Sequence, residues 1–150
     1  MQTGEQVPDF EARLDDGSNV RLSALLEAGP VVLFFYPKAF TGGCTAQACY
    51  FRDLAQEFAR VGAQRFGVSR DDVDTQASFG EKHSLDYPLI ADPDGSIARI
   101  FGAKRLGPIW SKRQTFVIGT DRTLLGAIAS ETDVERHADE ALELLQAQAA

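Results

Sequence analysis

The chemistry this chain offers is concentrated at Cys44 and Cys49, a C-x4-C pair preceded by the run Pro37-Lys38-Ala39-Phe40-Thr41-Gly42-Gly43. The residues beyond Gly43 carry helical spacing, which predicts Cys44 one or two residues into a helix that follows a buried strand. Backbone N–H groups lack intrahelical partners there and the helix dipole is positive. Both favour the thiolate, which is the attacking form of cysteine. Lys38, and any arginine that folding brings in, would add to this effect. Thr41 offers a hydroxyl close to the sulfur, as acceptor or donor. Gly42 and Gly43 let the backbone approach a small substrate, while Pro37 ends the strand and keeps water partly out of the turn. Such a set suits a hydroperoxide, whose O–O bond breaks as negative charge builds on the leaving oxygen. Donors aimed at that charge lower a barrier by roughly 3–4 kcal/mol each in comparable sites. Taken alone, a C-x4-C pair fits two inert, buried cysteines as well as it fits redox chemistry. The threonine, the glycines and the preceding strand favour chemistry, on condition that solvent reaches the sulfur and an arginine stands beside it.

The spacing makes a mechanical statement. Five residues along a helix give a rise of about 7.5 Å and place the two Cα atoms roughly 8–9 Å apart, whereas a disulfide tolerates about 4.4–6.8 Å. If both cysteines lie on one helix, its first turns must unwind before a bond can form. Two adjacent glycines make that start easy to open.

The elements that must hold this site are legible in outline. Phe10 to Leu14 and Asn19 to Leu22 alternate around the turn Asp15-Asp16-Gly17-Ser18, an N-terminal β-hairpin. Ser23 is placed to cap a short helix, Ala24 to Glu27. Val31 to Tyr36 reads as a strand buried on both faces. Phe51, Leu54, Ala55, Phe58 and Val61 continue the helix of Cys44 to a stop at Gly62. Strands follow at Arg65 to Ser69 and Tyr87 to Ile90, with helices at Asp71 to His83 and Ser96 to Phe101. A second hairpin spans Gln114 to Ile118 and Leu124 to Ile128, and Thr132 or Asp133 opens a last helix to about Gln148. The pattern is that of an α/β fold with a central mixed sheet and helices on both faces.

A chain of 150 residues with 44% apolar and 25% charged residues suits one domain, 1–150, around one core. Its formal charge of −7 would repel a phosphate backbone, so no nucleic-acid partner is expected. No run approaches the ~20 apolar residues of a membrane span. Met1-Gln2-Thr3-Gly4-Glu5 lacks the basic and apolar segments of a secretory signal. The expected setting is cytoplasmic, without a membrane. Two cysteines are also too few for a secreted disulfide framework.

Other residues have plain readings. Arg113, at the start of a strand, reads on its own as a solvated charge. His83 and His137 lack ligand spacing and read as solvated helix residues, with no zinc. Phe34, Phe35 and Phe58 read as core, whereas Tyr36, Phe40 and Trp110 either line a pocket or pack beneath it. Asp71, Asp72 and Asp74 suit a helix start.

Pro37-x-x-x-Thr41-x-x-Cys44 resembles the peroxidatic signature of peroxiredoxins, and Cys44-Thr45-Ala46-Gln47-Ala48-Cys49 with Phe51-Arg52-Asp53 resembles the PrxQ, or bacterioferritin comigratory protein, subgroup. The similarity runs from Gly4-x-x-x-Pro8-Asp9-Phe10 through Phe34-Phe35-Tyr36-Pro37 to Arg113-Gln114-Thr115-Phe116-Val117-Ile118. It implies a thioredoxin fold in its peroxiredoxin variant. Cys44 would then be the peroxidatic cysteine, passing through a sulfenic acid, and Cys49 the resolving cysteine on the same chain. Thr41 would bind peroxide, Arg113 would hold the thiolate and polarise the O–O bond, and the N–H groups of Gly43 and Cys44 would complete the site. Pro37, Gly43, Tyr36 and Phe40 are the implied substrate-binding residues. The substrates would be hydrogen peroxide and organic hydroperoxides, and the reductant thioredoxin or a similar dithiol protein. No metal or organic cofactor is implied, and a monomer or weak homodimer is expected. Gly42 stands where the family commonly has proline, and the segment Ala103 to Lys112 is shorter than in some relatives. A dithiol reductase of the C-x-x-C kind has no motif here. A redox switch, oxidised once and read by a partner, remains the alternative.

Overall fold

In the computed structural model of the protein, which describes residues 1–103 and 112–149, the chain opens with an antiparallel hairpin of β1 (Glu11–Leu14) and β2 (Asn19–Arg21). The short helix α1 (Leu22–Leu25) leads to β3 (Val31–Phe35), and α2 (Gly42–Asp53) and α3 (Ala55–Arg60) follow. Then come β4 (Gln64–Ser69), α4 (Val73–Lys82), β5 (Leu89–Ala91), α5 (Ser96–Phe101), β6 (Gln114–Ile118), β7 (Leu124–Ala129) and α6 (Val134–Ala149). The strands form one mixed sheet in the order β2-β1-β5-β4-β3-β6-β7. β3 runs parallel to β4 and antiparallel to β6, so it has a partner on each side.

Every residue of β3 is buried, and its alternation explains why the apolar run is unbroken. Val31, Leu33 and Phe35 face a cluster with Leu22, Leu26, Ile97 and Phe101 beneath α1 and α5. Val32, Phe34 and Tyr36 face the opposite cluster, where α2, α3, α4 and α6 contribute Phe51, Phe58, Phe79 and Leu145. The one core expected is thus divided in two by the sheet, because a strand covered on both faces sends successive side chains to opposite sides.

Two local expectations are corrected. The helix of Cys44 does not run unbroken to Val61: Leu54, at φ −95° and ψ 21°, leaves helical geometry and separates α2 from α3. Ser23 does not cap α1. Arg21 holds that position, and the Ser23 N–H and hydroxyl both donate to the Asp9 carboxylate at 2.9 Å. The helix expected over Ala24 to Glu27 is α1 at Leu22–Leu25, and the strand expected over Tyr87 to Ile90 is β5 at Leu89–Ala91; two other signals hold. Gly62 ends α3 with φ +68°, and Asp72 caps α4 by accepting the Thr75 N–H at 2.8 Å. No helix among the described residues is long and apolar enough to cross a membrane.

Candidate active site

Leaving β3, the chain turns through Pro37 to Thr41 and enters α2. Thr41 occupies the N-cap with extended backbone, and Gly42, Gly43 and Cys44 are the first three helical residues. The Thr45 N–H is the first to close the ladder, donating to the Thr41 carbonyl at 2.9 Å. The N–H groups of the three residues before it therefore have no acceptor inside the helix. The turn is pinned from the sheet, since the Ala39 N–H and the Ser69 hydroxyl both donate to one Asp71 oxygen, at 2.8 and 2.6 Å. The Thr41 hydroxyl donates to the Lys38 carbonyl at 2.8 Å, which leaves its lone pairs to accept a hydrogen bond from elsewhere.

Tyr36 lies fully buried below this turn, its hydroxyl donating to Gln76 Oε1 at 2.5 Å. Burial holds its phenol well above the ordinary range, so Tyr36 packs beneath the site as a neutral hydrogen-bonding core residue. Phe40 is the opposite case, a large apolar side chain 46% exposed with φ at 66°, its ring edge-on to Phe79. Pro37 is half-buried at the end of the strand.

Arg113 shows most clearly what folding adds. The antiparallel register of β3 and β6 sets Gln114 opposite Phe35, which carries the residue before it to the end of β3 where α2 begins. Its reading as a solvated charge is corrected: Arg113 is 7% exposed and its donors are engaged on two sides. Nη2 donates to Cys44 Sγ at 3.4 Å and Nη1 to Gln47 Oε1 at 2.6 Å. Nε donates to the Glu131 carbonyl at 3.2 Å, and the backbone N–H to the Glu131 carboxylate at 3.3 Å. Of the two conditions set by the sequence, the arginine is met. The other is not, because Cys44 has no exposed surface. Gly42 and Gly43, the two residues before it, are exposed, so the cysteine is buried next to exposed chain.

Cys49 is half-buried on the same helix, and both cysteines are free thiols. Helical spacing alone therefore keeps the two Cα atoms beyond disulfide reach, at roughly 8–9 Å.

Two residues around Arg113 were given no role by the sequence, and a third was misread. Gln47 is fully buried and its Nε2 has no hydrogen-bond partner; its place three residues after Cys44, on the same face of the helix, was the available signal. Glu131 had none, since loop carbonyls leave no pattern. His137, read as solvated, is completely buried. It lies four residues before Ala141 and eight before Leu145, on the buried stripe of α6, which could have revealed it. His83 is half-buried, edge-on to Phe79. Trp110 lies outside the described residues. A cleft lined in part by Glu11, Arg13, Asp72 and Asp92 contains neither cysteine, nor Thr41 or Arg113. Its acids act locally, Asp92 accepting the Ile97 and Ala98 N–H groups at 3.1 and 3.0 Å.

A cysteine at the start of the helix after the central strand, with a guanidinium on its sulfur, defines the class of thiol peroxidases built on the thioredoxin fold. The chain belongs to the AhpC/TSA family, whose model matches residues 3–126. It is 53% identical to the protein in the crystal structure of peroxidoxin BcpB from Mycobacterium tuberculosis, with a TM-score of 0.94 over 98% of this chain and 97% of that one. Peroxiredoxin Bcp of Bacillus subtilis is 35% identical over 97% of this chain and 96% of its own. A structure of the Xanthomonas campestris bacterioferritin comigratory protein, described for its alkyl peroxide reduction activity, matches with a TM-score of 0.86 at 30% identity, covering 94% of this chain and 92% of that one. The peroxiredoxin resemblance and the thioredoxin-type fold it implied are those of these relatives.

Proposed function

We propose that the chain reduces hydroperoxides through Cys44 and resolves the product through Cys49. The observation that carries this is the Arg113 Nη2 at 3.4 Å from Cys44 Sγ, at the start of a helix whose first N–H groups have no internal acceptor. The Cys44 thiolate attacks the distal oxygen of ROOH, so an S–O bond forms as the O–O bond breaks. Cys44 becomes a sulfenic acid that keeps the peroxide hydrogen, and RO⁻ leaves and takes a proton from solvent to give ROH. Arg113 and the N–H groups of Gly43 and Cys44 supply donors for the charge that moves from sulfur to oxygen, and the Thr41 hydroxyl accepts a hydrogen bond from the peroxide O–H. Pro37, Gly43, Tyr36 and Phe40 shape the approach, Tyr36 from below and Phe40 at the rim.

The start of α2 then unwinds, Cys49 attacks the Cys44 sulfur, water leaves and a disulfide forms. A thioredoxin-like dithiol returns both cysteines to thiols and becomes a disulfide itself. The buried state of Cys44 makes movement of the Pro37 to Gly43 turn part of substrate entry. Alkyl peroxide reduction by the Xanthomonas relative supports organic hydroperoxides beside hydrogen peroxide. A formal charge of −7 supports a chain that works away from nucleic acid and anionic membranes; a cytoplasmic monomer or weak homodimer is the form we infer.

Peroxide consumption with thioredoxin present tests the reading. Cys44→Ser should be inactive, while Cys49→Ser should be oxidised once and fail to turn over. Continued turnover by Cys44→Ser would refute the assignment, and a wild type that stops after one equivalent would make the protein a switch.

A further inference from the structure

We propose that His137 is a positioning residue for the peroxidase reaction: from α6 it fixes the Ser130–Glu131 backbone on which the Arg113 guanidinium rests. The proposal depends on Arg113 acting on Cys44 as argued above.

His137 is completely buried. Its Nε2 lies 2.8 Å from the Ser130 carbonyl, which can only accept, so Nε2 carries the hydrogen. Its Nδ1 lies 2.7 Å from Thr115 Oγ1, and in the neutral ring it accepts from that hydroxyl. With both nitrogens engaged, the ring cannot turn without leaving buried polar groups unpaired. The two contacts end on the segments that carry Arg113 and its acceptor. Thr115 is the second residue of β6, fully buried and two beyond Arg113. Ser130 directly precedes Glu131, whose carbonyl accepts Arg113 Nε. His137 therefore holds β6 and the turn after β7 in one relation, and Gln47 steadies the guanidinium from the other side.

The same contacts make the arrangement sensitive to protonation. A second ring hydrogen, on Nδ1, would force the Thr115 hydroxyl to accept instead of donate, and would place a cation behind Arg113. α6 packs against α2, β6 and β7. The charged groups bearing on the ring are Arg113 ahead of β6, Glu131 after β7 and Arg136 on α6 itself; α2 presents Tyr50, whose hydroxyl donates to Asp139. Burial, then Arg113 and Arg136, hold the ring below its ordinary 6.5, against the Ser130 bond and Glu131. A lowered folded value means that the unfolded chain takes the proton more readily. The neutral ring's contribution is therefore full above 6.5 and is lost as pH falls from there toward the folded value.

Two rates separate positioning from general damage: oxidation of Cys44 by hydrogen peroxide, and the disulfide formation that follows. His137→Leu should slow the first about tenfold or more, as a small misplacement of a charge-stabilising group does, and leave the second unchanged. His137→Gln, whose amide can both donate to Ser130 and accept from Thr115, should restore most of the rate. The ratio of the wild-type to the His137→Gln oxidation rate should fall only below pH 6.5. Unchanged oxidation in folded His137→Leu, equal slowing of both steps, or no recovery with glutamine would overturn the proposal. Should His137→Leu fail to fold, Thr115→Val decides it, slower oxidation supporting the proposal and unchanged oxidation overturning it. Arg113→Gln is measured alongside. If that variant oxidises as fast as wild type, the Arg113 reading itself fails; if it is slow while the His137 variants are normal, only the role of His137 fails.

Discussion

Gly43 and Arg113 constrain each other more tightly than either residue type suggests. A Cβ built on Gly43 would stand 3.1 Å from Arg113 Nη2, and the guanidinium has little freedom to retreat while Gln47 and Glu131 hold it. Gly43→Ala should therefore displace the donor from the sulfur and slow Cys44 oxidation by about tenfold, measured by stopped flow, with the fold intact by circular dichroism. Arg113→Lys should slow the same step by at least as much. A single ammonium cannot reach Sγ, Gln47 and the Glu131 carbonyl together as the planar fork does, and wild-type rates in the lysine variant would argue against the geometry. At this scale the sequence displayed the proposed nucleophile and its threonine, because those residues sit together along the chain. Residue spacing could not display the contact with Arg113, 69 residues away, since strand pairing makes that contact; only the peroxiredoxin resemblance pointed to it.

In the proposed cycle α2 is the element that both presents the sulfur and releases it. Gly42 is its first residue, open on all sides to an added Cβ, and Thr41 before it has the extended backbone (φ −85°, ψ 156°) that a following proline requires. Gly42→Pro should thus be accommodated at a position proline favours, and should stiffen the start of the helix. The expected gain is about 0.4–1 kcal/mol in stability, arising from the unfolded chain. Disulfide formation should become slower, while Cys44 oxidation is unaffected. A longer-lived sulfenic acid would also make the variant more prone to sulfinic acid at high peroxide, a mass increase readable by intact-protein spectrometry. Equal disulfide rates in the two proteins would remove unwinding from the cycle. The end of α2 was not legible in the sequence: Leu54 is a good helix former and the apolar spacing continues through Phe58, so nothing local marks the break.

For the molecule as a whole, function depends on a sheet filled from both faces. Gly67 at its centre is closely enclosed, an added Cβ meeting Leu89 Cδ2 at 2.8 Å and Phe34 Cζ at 2.9 Å. Gly67→Ala should cost about 1–3 kcal/mol by overpacking. That lowers the thermal midpoint by roughly 2–4 °C per kcal/mol for a chain of this size, and an unchanged midpoint would mean that the core yields more readily than its packing suggests. The architecture was largely legible, because an uninterrupted run such as Val31 to Phe35 suits only a strand covered on two sides. What lay on each side was not: the buried place of His137 depends on which stripe of α6 meets the sheet, and one charged-looking helix reveals that only when its apolar positions are aligned first. The interruption at Leu54 carries a further consequence for endurance over many turnovers. Phe58, on the far side of it, is buried under the sheet and would keep that seat while the cysteine-bearing segment opens as proposed. In the proposed cycle the disturbance would be confined to the stretch before Leu54, with the remainder of the protein as a fixed mould into which that stretch refolds.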